Sequence, residues 1–296
     1  MIKRIQCAIY KNKNCFKYLS VKINKPKDLE YFKKNKSDFF LCSNCSILRQ
    51  FPIPTIKKIS SFYDNNYQNY KESKSVFLSF ISKFYYKFFA YFLKLSKNSL
   101  ILDYGCGTAQ VLRNLELMGY KNLYGYDVIK PSLKNTKITF FDKVKFFKKK
   151  KFDLIILNHV IEHVTDPRSL LLFLKTLLRK NGRIIGQTPN YSDYTFAIFG
   201  KYWGALHFPY HINLFSRTSL TRLAEKQNLF IKTSPSIMPT GWSMSLENII
   251  KKIFSMKSKG RTIFYSVILL ICLPVNIISY IISGKTSIIN FTIQNK

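Results

Sequence analysis

Residues 101–110 constrain this chain more than any other stretch. Ile101-Leu102-Asp103-Tyr104-Gly105-Cys106-Gly107-Thr108-Ala109-Gln110 is an apolar run that closes on an acid and breaks into two glycines before a helix-like segment. A β-branched and aromatic run followed by Gly-x-Gly predicts a strand, a tight turn and a helix N-terminus. Gly105 and Gly107 leave no Cβ between the main chain and a ligand, and the N–H groups of the following helix favour electron-rich atoms. The stretch is a ligand loop on an α/β sheet.

The acid narrows the ligand. A carboxylate just before the first glycine repels a pyrophosphate, and Gln110 stands where a dinucleotide fingerprint carries its third glycine. A donor with a sulfonium, an ammonium and no phosphate tolerates Asp103. The stretch resembles the first motif of class I S-adenosyl-L-methionine-dependent methyltransferases, apolar-Asp-x-Gly-x-Gly-Thr-Gly, with Ala109 in place of the last glycine. That replacement predicts a backbone compatible with Ala rather than a turn with positive φ.

The resemblance implies a Rossmann-like, seven-stranded α/β sheet with helices on both faces. It also implies that Asp103, Gly105, Cys106 and Gly107 hold the donor. Residues 111–118 read as a helix capped by Gly119, and residues 123–127 as the second strand. Asp127 lies 22 residues after Gly105, close to the ~20 expected of an acid that accepts hydrogen bonds from ribose hydroxyls. Residues 129–151 hold an abbreviated helix and a third strand near 138–141. Asp142 after it is placed to touch the adenine, or is a solvated turn acid.

Phe152-Asp153-Leu154-Ile155-Ile156-Leu157-Asn158 reads as a buried strand, followed by His159-Val160-Ile161-Glu162-His163-Val164-Thr165-Asp166-Pro167. Ligands of open parallel sheets bind beyond the carboxyl ends of strands at the switch point, here flanked by Gly105 and Asn158. The second motif resembles the Glu-His-Val region of methyltransferases that include ubiquinone-biosynthesis O-methyltransferases. There the corresponding acid, Glu and His can hold a divalent metal. His159 in place of the first acid disfavours a hard, oxygen-ligated ion, so no metal is expected at this site, and Glu162 and His163 are read as orienting the loop. His159 lines the acceptor side or serves as a base.

A helix is expected from Pro167 through Leu178, stopped by Asn181-Gly182, then a fifth strand over residues 183–187. Residues 190–215 form an aromatic excursion over the carboxyl edge, covering the acceptor. It resembles the Trp-Gly … Pro-x-His … Phe-x-x-x-x-Leu insert of the same family, with His211 at the insert's His and His207 where an acid is commoner, and His159, His207 or His211 is expected to serve the acceptor. Ser216 caps a helix at 217–226, and residues 229–233 give the sixth strand.

The flanks are read separately. Residues 1–60 form a small module. Cys42-x-x-Cys45 has metal-knuckle spacing, and Cys7 and Cys15 offer two more thiolates, but seven residues separate that pair where a ribbon expects two to four. The module resembles a degenerate zinc-ribbon-like segment that keeps its fold without metal. Residues 75–95 predict a helix before the first strand, opening a methyltransferase domain that runs to residue 296. Residues 262–284 carry no charge and reach the ~20 residues of a membrane span. A last strand at 287–292 must return to the sheet, so the stretch is read as an apolar hairpin broken at Pro274, within a helical insertion at 243–284. It would contact an anionic membrane surface with help from Lys251, Lys252, Lys257, Lys259 and Arg261, or pack at a protein interface.

Composition bounds the rest. A net charge of +33 suggests nucleic acid or an anionic surface, yet A/T-rich codon usage produces the same Lys excess. The six cysteines do not suggest a disulfide framework in a chain this long, and a cytoplasmic setting is expected, peripheral or monotopic at the membrane face. The reaction expected is O- or N-methylation of a sugar, glycan precursor, lipid-linked or quinone-like acceptor. A nucleic-acid methyltransferase rests on charge alone, because no Asn-Pro-Pro-Tyr-type motif follows the fourth strand. A noncatalytic membrane-associated nucleoside-binding protein is the reading from another class.

Overall fold

The computed structural model describes residues 5–22, 36–55, 94–128, 131, 135–255 and 265–296. The helix expected at 75–95 falls almost wholly outside these residues, as do Lys257, Lys259 and Arg261.

Two sheets organise the chain. The larger contains β4 (Leu100–Tyr104), β5 (Asn122–Tyr126), β6 (Thr139–Phe141), β7 (Phe152–Asn158), β8 (Leu178–Pro189), β10 (Leu229–Pro235) and β11 (Ile288–Asn295), in the order β10-β11-β8-β7-β4-β5-β6. β11 runs antiparallel to both β8 and β10, and the other neighbours described as paired are parallel. The order reverses between β4 and β7, which makes their carboxyl ends the ligand crevice. This is the seven-stranded Rossmann-like sheet of class I methyltransferases.

The strands are apolar almost throughout because both faces are covered. Leu102, Ile155 and Leu157 face the layer that holds α2 (Pro167–Thr176) and α4 (Arg217–Glu225), through Leu170, Leu174, Leu220 and Leu223. Ile101, Leu154 and Ile156 face α1 (Gln110–Leu117) through Leu112 and Leu115. Ser216 and Ser219 cap α4 reciprocally, and Asp166 caps α2 by accepting from the Arg168 and Ser169 amides.

The smaller sheet, β1-β2-β3-β9, joins β1 (Cys15–Lys22), β2 (Lys36–Cys42) and β3 (Leu48–Phe51) to β9 (Asn213–Leu214), a strand of the 190–215 excursion. The excursion also holds α3 (Tyr194–Phe199), and its core of Tyr191, Phe196, Trp203 and Leu214 packs on Phe39 and Leu48.

Three expectations are corrected. Ala109 adopts φ 56 and ψ 27, the left-handed turn predicted to be avoided; burial of its methyl in the α1 layer offsets a backbone cost of about 1–2 kcal/mol. The Asn181-Gly182 pair does not stop a helix. α2 ends at Thr176, and Gly182 lies in a bulge where β8 slips register against Phe152 and Leu154, with the Phe152 carbonyl 2.7 Å from where a Cβ would stand. Nor does the apolar insertion break at Pro274. It is a pair, α5 (Thr240–Ile253) and α6 (Tyr265–Ser283), and α6 runs straight through Pro274. Proline costs helix stability, but nothing forces the chain to turn there, because the turn back to the sheet is made at Gly284, whose amide bonds the Tyr280 carbonyl.

Candidate functional site

At the end of β4 the chain turns through Gly105 and Gly107, at φ 83 and 51. The Gly105 and Cys106 amides donate to the Tyr126 carbonyl at 2.7 and 3.0 Å, and the Gly107 amide donates to Asp127 Oδ2 at 2.7 Å. The glycine loop is thus tied to the tip of β5 by main chain and by carboxylate. Asp103 is buried, and desolvation aided by the neighbouring Asp127 charge pushes its pKa up to about 7. Cys106 is buried; desolvation, with Asp103 and Asp127 adding, raises its thiol well above the ordinary range, so it is inert packing beneath the loop.

Gly105 also fixes the second motif. A Cβ there would stand 2.4 Å from Val160 Cγ2, so the segment after β7 rests directly on the loop after β4. Asn158 ends β7, half-buried, at the same edge. Asp142 is exposed beyond β6, near enough to Tyr126 to act on its phenol electrostatically. The loop residues Asp103, Gly105, Cys106 and Gly107 and the strand-end residues Asp127 and Asn158 therefore lie at the carboxyl ends of neighbouring strands, with Asp142 just beyond the end of β6.

Three of the chain's four histidines, His159, His163 and His211, stand beside the buried carboxylate of Glu162, and His207 stands against His211. Glu162 accepts from His159 Nδ1 at 3.2 Å and from Thr188 Oγ1 at 3.1 Å, while its main-chain carbonyl accepts the Ile212 and Asn213 amides at 2.9 and 3.0 Å. It thereby sews the excursion to the end of β7. Burial alone would raise the Glu162 pKa, but the His159 hydrogen bond and the nearby His159 and His163 bring it below the usual carboxylate value. His163 and His211 stand edge to face with ring centres 4.6 Å apart, and His207 lies 5.0 Å from His211 while stacking on Tyr210.

Tautomers follow from the partners. His163 Nδ1 is 3.0 Å from the Tyr210 carbonyl and His211 Nδ1 is 2.8 Å from the Ala205 carbonyl. A carbonyl only accepts, so both rings carry the proton on Nδ1 and leave Nε2 as the basic nitrogen. Burial lowers the pKa of both, and His163 and His207 lower His211 further, so both stay neutral near pH 7. One ligand atom each from Glu162, His163 and His211 lies within 4.8 Å of the others.

Of the histidines singled out as acceptor residues, His207 and His211 stand together, while His159 is half-exposed and bonds Glu162. Sequence reasoning gave His163 only an orienting role. Its signal was the spacing of four from His159, which proves to be a shared carboxylate rather than a helical metal pair, because residues 159–164 form a turn and not a helix.

At the N-terminal sheet, the Sγ atoms of Cys7, Cys42 and Cys45 lie within 4.8 Å of one another, and Cys15 is directly paired with Cys42 across β1 and β2, near enough to Cys7 and Cys42 to interact with them electrostatically. The seven-residue separation does not keep Cys7 away. The Cys7 amide bonds the Asn12 carbonyl and the Lys11 amide bonds the Cys7 carbonyl, folding the segment into a turn that returns to Cys15.

Residues 77–233 match the family described as a methyltransferase domain. No curated protein matches the chain. Among solved structures, the plantazolicin methyltransferase BpumL in complex with S-adenosylhomocysteine is 20% identical, with 83% of this chain and 92% of that one covered and a TM-score of 0.46. Coclaurine N-methyltransferase bound to N-methylheliamine and S-adenosylhomocysteine is 14% identical over 83% and 80% of the two chains, with a TM-score of 0.45. The YcgJ protein from Bacillus subtilis is 13% identical over 71% and 98%, with a TM-score of 0.46. A family match over more than half of the sequence, on a sheet of this order with its glycine loop at the switch point, makes the chain a member of the methyltransferase-domain family and a class I S-adenosylmethionine-dependent methyltransferase.

Proposed function

We propose that the chain methylates an oxygen or nitrogen of a small or lipid-linked acceptor, such as a glycan precursor, at a membrane surface. The observation that supports the acceptor half is the cluster of His163, His207 and His211, with His163 and His211 beside Glu162 and the basic Nε2 of both set by their carbonyl partners. In the reaction the acceptor's lone pair attacks the donor methyl in line, the S–CH3 bond breaks, and S-adenosylhomocysteine leaves. The acceptor's proton passes to a histidine Nε2. Gly105, Gly107 and Asp127 position the donor, Asp103 faces its positive charge, and the 190–215 segment covers the acceptor. The donor is already activated, so alignment supplies most of the acceleration, up to ~7–11 kcal/mol in favourable cases, and the base ~10²–10⁴-fold.

The membrane half rests on α6. Only Tyr265, Cys272 and Asn276 along it are buried, and these seat it on the body. Val267, Ile271, Ile278, Ile281 and Ile282 are all more than half exposed, as are Ile253 and Phe254 at the end of α5. A helix held along one stripe with its other faces apolar suits the interfacial plane of a bilayer. The deciding experiment supplies labelled S-adenosylmethionine with lipid, glycan and RNA extracts. Label transferred to lipid-linked material supports the proposal, and label transferred only to RNA replaces it.

A further inference from the structure

We propose that Cys7, Cys15, Cys42 and Cys45 bind one zinc ion in a tetrathiolate site that braces the acceptor-covering segment from below. Three of the sulfurs come from buried cysteines, with Cys7 and Cys45 Sγ 3.5 Å apart. A zinc tetrahedron with ~2.3 Å Zn–S bonds has edges of about 3.8 Å. A 3.5 Å separation is far beyond the ~2.05 Å of a disulfide. The spacing suits ligands around an ion, and Cys15, the cross-strand partner of Cys42, is the proposed fourth ligand.

The main chain is arranged for thiolates. The Ile9 and Tyr10 amides donate to Cys7 Sγ at 3.3 and 3.4 Å. Cys7 and Cys45 both sit in turns that pass through a left-handed residue, Lys11 at φ 58 and Ser46 at φ 56. Four thiolates around a divalent ion leave a charge of −2, and a buried cation stands beside them. Arg49 is 7% exposed, lies within electrostatic reach of Cys7 and Cys15, and has an Nε with no hydrogen-bond partner. Its carboxylate neighbour Asp166 is already paired with Lys11 at 2.8 Å. Soft tetrathiolate sites take zinc or iron; a purely structural role needs no redox change, which selects zinc.

The site's place in the fold gives the ion its task. Ser46, next to Cys45, accepts the Tyr191 hydroxyl at 2.5 Å. β3, two residues further on, pairs Leu48 with Leu214 and Arg49 with Asn213, and the Gln50 amide donates to the Ile212 carbonyl at 2.8 Å. The four thiolates close the turns from which this ladder starts. Residues 205–214, which carry His207 and His211, therefore lean on the metal knot, whereas the donor loop at the ends of β4 and β5 does not. The bracing rests on the acceptor reading of that segment; the metal binding does not.

Elemental analysis of the full chain purified without chelator tests the site. The expected result is about one zinc per chain, lost in Cys42→Ser/Cys45→Ser, with cobalt(II) replacing zinc to give the intense visible absorption of a tetrahedral thiolate complex. Iron in place of zinc, or no bound metal together with two disulfides or four freely titrating thiols, overturns it. These readings on the unmodified chain stand even if the variant fails to fold. The brace is tested by hydrogen exchange after zinc is stripped. Faster exchange at 205–214, with S-adenosylhomocysteine affinity within about threefold of the loaded protein, is expected; unchanged exchange there overturns the brace and leaves the metal site standing.

Discussion

The Gly107 amide donates to Asp127 Oδ2 at 2.7 Å, so the acid at the end of β5 that is proposed to grip the donor's ribose also sets the glycine loop against which the donor lies. One carboxylate thus couples loop shape to ligand contact. Asp127→Asn keeps an acceptor oxygen and loses the charge. Asp127→Ala loses both and leaves the Gly107 amide without its acceptor. Hydrogen bonds to charged groups contribute ~1.5–3 kcal/mol, so calorimetry should show donor affinity reduced about tenfold in the first variant and a hundredfold or more in the second. Equal affinities across wild type and both variants would remove Asp127 from the site.

Asp103 predicts a pH signature that separates donor from product. Its pKa is raised to about 7 by burial and by Asp127, so the folded protein holds a proton there that the unfolded chain gives up near pH 4. Stability from this group is full at pH values below the unfolded pKa and declines as pH rises toward 7. A cationic sulfonium favours the carboxylate, whereas the neutral thioether of the product does not. The ratio of S-adenosylmethionine to S-adenosylhomocysteine affinity should therefore rise between pH 6 and 8 and lose that slope in Asp103→Asn. A flat ratio in the wild type would place Asp103 outside the donor's field.

His163 and His211 predict the opposite slope. Their folded pKa values are depressed, so below the unfolded value of ~6.5 the unfolded chain binds protons that the folded one refuses. Their stability contribution is full above that pH and is lost as pH falls toward the folded values. Thermal denaturation between pH 7.5 and 5 should show a loss that His211→Gln diminishes. If one of these rings takes the acceptor's proton, His163→Ala or His211→Ala should lower turnover about a hundredfold or more while S-adenosylhomocysteine binding persists. Full turnover in both variants would leave the proton to solvent.

The strand and glycine-loop geometry at the switch point was legible because its signals are local. Gly105, Gly107 and Asp127 carry backbone and charge requirements within one strand-loop-helix-strand unit, and the burial of both Ile101 and Leu102, on opposite faces, follows from a sheet covered on both faces. The acceptor half was less legible because its determinants are tertiary. Glu162 meets Thr188 across β8 and the 212–213 backbone across the excursion, and no spacing in the sequence announces such contacts. His163 gains its tautomer from the Tyr210 carbonyl, 47 residues away. Cys7 and Cys15 fail a spacing rule because that rule assumes a short knuckle, whereas here a turn held by Asn12 closes the gap. Ala109 and the Gly182 bulge show the same limit, since packing overrides the local preference of one residue.

The outer surface of α6 gives the last prediction. The 19-residue helix is ~28 Å long at ~1.5 Å per residue, yet it cannot cross a bilayer alone while β11 returns between β10 and β8. Tyr265 meets Ser243 at its start and the Asn276 side chain donates to the Ile237 carbonyl at 3.0 Å, which holds the helix along the body with Ile271, Ile278 and Ile282 outward. Such a face would lie in the headgroup region, aided by the basic residues at 251–261. The protein should cosediment with vesicles containing anionic lipid and release as salt rises. Ile278→Asp/Ile282→Asp should lower the bound fraction about tenfold, with far-ultraviolet circular dichroism and donor affinity unchanged. If the same variant instead turns a dimer into a monomer, with no vesicle binding in either protein, the face is an interface between copies of this chain.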